Sequence, residues 1–310
     1  MKNYYLLIFL SIVLILNFSC KKPDITPAYL ILSEEDFKDC IDVSNFNNTH
    51  DQNYDQNELD AIRQQKFTDV LVSLNGKELG YWNLPCKIPL LPNYSDSNNI
   101  RIIPCVRIPH TSTTTTQYHF VTPYEKFFAM NKEGEYQVSD IKLKYVSSVD
   151  FSILETFTQS TDFSPRDSTY PATIQIVHDD ELNKNIGKLV LADSDVYFDI
   201  VTPYFTLLGQ NERQFWEISY KSVNGRMTTY LGFENTITGQ TSQSMVILPS
   251  TQGVWKKIYI NITDIVMQAS YTASKVSTRL QITGIRDSVS RDSEFYFENI
   301  KLITMDAPYY

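Results

Sequence analysis

From Trp255 to Ile262 the side chains alternate strictly, so in an extended segment Trp255, Lys257, Tyr259 and Asn261 share one face while Ile258, Ile260 and Ile262 share the other. Flat aromatic rings stack on the C–H faces of pyranose sugars, and ammonium and amide groups bind the hydroxyls, so the first face has the chemistry of a glycan platform. The same pattern also fits a Trp255 ring that caps the edge of a sandwich. The other two tryptophans read as packing. Trp216 shares a face with Ile218 and Tyr220, and Trp82 follows Leu79-Gly80 beside a turn.

Glu155 and Glu298 fall in segments expected to be the first and last strands of the second half, where paired carboxylates could hold a structural calcium ion or be edge-strand charges. No other cofactor is implied. The chain contains no G-x-S-x-G, H-E-x-x-H or G-x-x-x-x-G-K-[ST] motif, and its four histidines are scattered. These features point to a non-catalytic binding role. The alternatives are a structural or assembly protein that docks on an outer-membrane partner, and a glycoside hydrolase, whose acid and base carboxyls would have to face each other across a cleft.

The N-terminus carries Lys2, an apolar run of 13 residues from Tyr4 to Leu16, then Ser19 and Cys20. A bilayer core needs about 20 apolar residues, so the run is too short to span one and reads as an export signal. The small Ser19 directly before Cys20 resembles a bacterial lipoprotein signal, which implies cleavage after residue 19 and lipid on Cys20. Asn17 and Phe18 depart from the usual pattern, a laxity that resembles lipoproteins of the Bacteroidetes. That resemblance implies anchoring in the outer membrane, since Lys21 rather than Asp follows the cysteine, and leaves open which leaflet is used. The whole chain has net charge −9, and loss of Lys2 with the signal brings it to −10, which disfavours nucleic acid as a partner.

With Cys20 assigned to lipid, Cys40, Cys86 and Cys105 remain, an odd number. Cys86 and Cys105 lie in neighbouring strand-like segments, where they can be bridged or simply be small buried residues. Residues 20–27 read as a short tether. The Asn- and Asp-rich run from Asn45 to Asn57 predicts a loop, and the capping-box spacing of Asp55 and Glu58 predicts the chain's one short helix. Period-two segments on either side of Asn75-Gly76 predict a hairpin.

The fold expected is all-β: after the signal peptide, an N-terminal β-sandwich over residues 28–146 followed by a jelly-roll β-sandwich over residues 147–306. Leu79-Gly80-Tyr81-Trp82-Asn83-Leu84-Pro85, Ile88-Pro89-Leu90-Leu91, the segment from Ile100 to Pro104, and Tyr118-His119-Phe120 resemble a family of uncharacterised Bacteroidetes lipoproteins. The likeness spans roughly residues 65–125 and brings no activity with it. In the second half, the strand from Trp255 to Thr263 and the closing Phe295-Tyr296-Phe297 segment are similar to parts of carbohydrate-binding-module-like jelly rolls.

Overall fold

The computed structural model describes residues 26–94, 96–109, 114–192, 195–208, 212–235, 239–269, 275–287 and 291–306. The signal segment and Cys20 lie outside the described residues. The first half carries β1 (Ala28–Leu32), α1 (Phe46–His50), α2 (Gln56–Arg63), β2 (Asp69–Leu74), β3 (Lys77–Asn83), β4 (Cys86–Leu90), β5 (Ser97–Ile108), β6 (Thr114–Gln117), β7 (Tyr124–Ala129) and β8 (Glu135–Gln137). One sheet runs β4-β1-β8. The other runs β3-β2-β5-β6, with β7 also paired to β5. Leu30 and Ile88 of the first sheet and Val72 and Ile102 of the second belong to one buried cluster, as alternating strands facing each other require.

The predicted hairpin is present: β2 and β3 are joined by Asn75 (φ 52°) and Gly76 (φ 79°), the two left-handed residues that match the twist of the flanking strands. The predicted capping box is also present, with Asp55 Oδ1 accepting from the Glu58 amide at 3.0 Å and Glu58 Oε2 from the Asp55 amide at 2.7 Å.

The run read as a loop contains the five-residue helix α1. Tertiary packing overrides the local preference of its asparagines. Phe46 is buried, stacks on His50 and meets the rings of Tyr145 and Phe151 edge-on or tilted.

The second half carries β9 (Val149–Glu155), β10 (Ser164–Pro165), β11 (Gln175–Asp179), β12 (Lys184–Leu191), β13 (Tyr197–Val201), β14 (Phe205–Leu208), β15 (Glu212–Val223), β16 (Gly225–Asn235), β17 (Gly239–Leu248), β18 (Lys256–Asn261), α3 (Thr263–Ala269), β19 (Lys275–Arg286) and β20 (Ser293–Asp306). One sheet runs β11-β12-β20-β15-β18 with β9 also on β20, so the closing strand does lie beside the opening one. The facing sheet runs β10-β13-β19-β16-β17, with β14 on β19. Trp216, Ile218, Tyr220, Ile260 and Ile262 fill the space between them, as their parity predicts. Packing is close enough that a Cβ at Gly284 would meet the Phe198 ring at 2.1 Å.

The strand expected to continue past Asn261 stops there. Asn261 Oδ1 accepts the Thr263 amide at 3.0 Å and α3 begins, a second helix that strand periodicity did not announce.

Cys40, Cys86 and Cys105 are all free thiols, so the bridged reading of Cys86 and Cys105 does not hold. Burial pushes the Cys40 and Cys105 thiols up to about 12 and the half-buried Cys86 thiol up to about 11. In the native protein a small alkylating reagent at mild alkaline pH is expected to label Cys86 slowly and to spare Cys40 and Cys105, with all three labelled after unfolding. Mass mapping of the modified thiols checks this, and equal native labelling of Cys105 would contradict the packing described.

Candidate functional site

The face of β18 that carries Lys257, Tyr259 and Asn261, with Trp255 just before it, is turned mostly toward the first sandwich rather than toward solvent. Tyr259 is 3% exposed, and its hydroxyl accepts the Lys66 amide at 2.9 Å and contacts Gln65 Oε1 at 3.1 Å. The Lys257 side chain is 6% exposed and donates to the Gln64 carbonyl at 2.5 Å. Asn261 is committed to the start of α3. The exposed platform expected from the sequence is therefore not formed. The end of α2 and the segment after it lie across these strands, and the Lys257 ammonium and the Tyr259 hydroxyl find their partners there. Trp255 is half-exposed at the border of a cleft, with the Lys221 ammonium 4.7 Å from its ring centroid.

Under that junction lies a buried charge cluster. Glu217 on β15 is fully buried and is approached by Lys301 Nζ of β20 at 2.9 Å and Lys257 Nζ of β18 at 3.4 Å. The Tyr118 hydroxyl donates to the same carboxylate, and Gln65 Nε2 reaches it at 3.0 Å. Lys301 also donates to the carbonyls of Ala61 (3.0 Å) and Gln64 (3.2 Å), capping the carbonyl end of α2 where a cation is favoured.

Burial alone would raise the Glu217 carboxyl, but Lys301 and Lys257 outweigh it and hold it down to about 2. Lys257 is lowered to about 7 by burial and by repulsion from Lys301, with Glu217 opposing. Both are lowered, which favours the charged carboxylate and disfavours the charged ammonium. One carboxylate serves two ammonium groups, with Lys257 the more distant, so Glu217 stays charged. A depressed carboxyl stabilises the fold above its unfolded value near 4.5 and loses that contribution as pH falls from about 4.5 toward 2. Urea midpoints measured between about pH 5 and pH 2.5 are therefore expected to fall, and to fall less steeply in Glu217→Gln, which lacks the titrating group. Parallel curves for the two proteins would contradict this assignment.

Beside the cluster the surface opens into two adjoining hollows of about 640 and 320 Å³, both bordered by Asp39, Gln64 and Leu182. The larger is lined by the amides of Asn57, Asn183, Asn185 and Asn299 and the hydroxyls of Thr156 and Thr158, drawn from α2, the segment after β9, the β11–β12 hairpin and β20. Its arginine and lysine are matched: Arg63 pairs with Asp60 at 2.6 Å, and Lys184 with Glu298 at 2.6 Å. The smaller hollow is bordered by Trp255, Ser219, Lys38, Lys66, Lys256 and Lys257. Gln64 joins the two, donating to Glu298 at 2.7 Å and accepting from Asn299. A chain of amide donors and acceptors with an aromatic ring at one end can pair with a row of hydroxyl groups.

The two calcium candidates are in different surroundings. Glu155 accepts the Phe157 and Asp162 amides, each at 2.8 Å, and its carboxyl is raised chiefly by burial. Glu298 holds Lys184 and Gln64. Among the described residues no group of three or more acidic, histidine or cysteine side chains is placed to hold a metal ion. The residues that build the cleft, above all Gln64, Lys184 and Asn299, were not singled out from the sequence. They lie on separate segments, and only the junction brings them together.

No family model matches the chain, and no curated protein does. Among solved structures, a xylan-binding family 22 module from Paenibacillus barcinonensis aligns with 9% identity over 52% of this chain and 98% of its own, at a TM-score of 0.36. A family 11 carbohydrate-binding module from Clostridium thermocellum, in complex with a mixed-linked tetrasaccharide, aligns with 12% identity over 52% of this chain and 98% of its own, at 0.35. The chain covers 28% of a Clostridium thermocellum xylanase 10B fragment complexed with xylohexaose, with 13% identity over 49% of this chain and a TM-score of 0.34. Likenesses at this level decide nothing about ligand.

Proposed function

We propose that the protein is a lipid-anchored, non-catalytic glycan-binding protein of the outer membrane, with the glycan lying in the cleft between the two sandwiches. The observation that carries the reading is the composition of that cleft. Four asparagines, Gln64 and two threonines line an open hollow beside the Trp255 ring, an arrangement suited to pairing hydroxyls with amides while one sugar face rests on an aromatic edge. The anchor rests on Ser19-Cys20 after the short apolar run.

Screening the form that begins at Lys21 over a broad glycan array tests the binding role. Retention of one glycan class is expected, and silence across the array would overturn the reading. Membrane fractionation of the full chain beside Cys20→Ala tests the anchor: the native chain is expected with membranes, and an unchanged distribution of the variant would remove Cys20 from the account.

A further inference from the structure

The two ends of the cleft differ in charge. At the amide end each cation has an acidic partner, as Arg63 has Asp60 and Lys184 has Glu298. At the Trp255 end, Lys66 and Lys256 are exposed, border the hollow and have no ion-pair partner among the described residues, while Lys38 pairs with Glu35 at 3.4 Å. Beneath them the buried Glu217 has two lysine partners, so the ground under this end carries no surplus of negative charge. Asp39, which borders both hollows, has no ion-pair partner among the described residues. In a chain of net charge −9 this is a local reversal of sign, and it surrounds the aromatic ring of the cleft.

Resting on the glycan reading above, we infer that the Trp255 end takes an anionic sugar residue, and that the amide end takes the neutral, hydroxyl-bearing residues next to it. A pyranose seated against the Trp255 edge would place a carboxylate or sulfate within reach of Lys66 and Lys256. Both ammonium groups are mobile point charges suited to either group, so the shared requirement is negative charge on the sugar.

The test is calorimetric titration of the form beginning at Lys21 with three sets of oligosaccharides: uronate-only oligomers, sulfated oligomers without uronate, and neutral oligomers of matching length and linkage. Binding is expected for the uronate set, the sulfated set or both, whichever source nature uses, and weaker or absent binding for neutral counterparts. Raising salt from about 20 to 300 mM is expected to weaken the acidic ligands about tenfold, since exposed charges are screened over that range. A Lys66→Gln, Lys256→Gln double variant, with an unchanged unfolding midpoint, is expected to lose about tenfold in affinity for the same ligands. Preference for neutral oligomers, or binding indifferent to salt and to both lysines, would overturn the inference and leave the glycan reading standing. No binding in any set would overturn both.

Discussion

Glu217→Gln is expected to destabilise the protein by about 3–5 kcal/mol, because it leaves Lys257 and Lys301 buried and facing each other without a counter-charge. The cost follows from position more than from the strength of any one bond. Both ammonium groups are held in place by carbonyls of Ala61 and Gln64, so neither can reach water without lifting the end of α2 off the sheet. A urea titration read by tryptophan fluorescence measures the loss as a shift of midpoint at constant slope. The triple change Glu217→Leu, Lys257→Met, Lys301→Met is expected to recover most of it, since apolar groups of similar volume often replace a buried ion cluster at no loss. A shift below about 1 kcal/mol for Glu217→Gln would show that the cluster is hydrated in solution.

The second large effect concerns residues 147–306 expressed without the first sandwich. Strand pairing divides the described chain between β8 and β9, yet the buried cluster does not respect that division. Phe151, Phe215, Tyr259, Ile303 and Met305 from the second half pack in the same core as Tyr118, Phe120 and Tyr145 from the first. Each such side chain is worth roughly 1.5–3 kcal/mol when buried, so uncovering five of them costs an amount comparable to the stability of a whole domain, about 5–15 kcal/mol. The fragment is expected to aggregate or to bind a hydrophobic dye strongly, and to unfold well below the intact protein. A soluble, monomeric fragment with the intact melting temperature would mean that the two halves fold and persist independently.

The same packing explains what could be read in the sequence and what could not. Asn75-Gly76 and the Asp55–Glu58 box act through contacts within a few residues, so local chemistry was enough to place the hairpin and α2. Alternation along β18 correctly separated Ile260 and Ile262 from Lys257 and Tyr259, because parity is a property of the strand alone. What parity leaves open is where the second face points. A face bearing lysine, tyrosine and asparagine looks solvated, and here it is covered by a sandwich encoded some 190 residues earlier, as the Lys66–Tyr259 hydrogen bond shows.

A signal did exist. Phe215, Ile303 and Met305 share that outer face with Glu217 and Lys301, and so much apolar area beside opposite charges on paired strands suits a covered surface better than an open one. The helices α1 and α3 were missed for a related reason: each is fixed by one buried side chain, Phe46 or Val266.

Replacing Trp255 by alanine tests whether the cleft at the junction is the binding site. Calorimetric titration of the array-selected glycan would be run on the native form, on Trp255→Ala and on Trp82→Phe, whose ring packs on the core of the first sandwich away from the cleft. Trp255→Ala is expected to weaken binding by tenfold or more, about 1.4 kcal/mol, with its unfolding midpoint nearly unchanged, while Trp82→Phe is expected to bind as the native form does. Equal affinity in Trp255→Ala and the native protein would place the glycan outside this cleft.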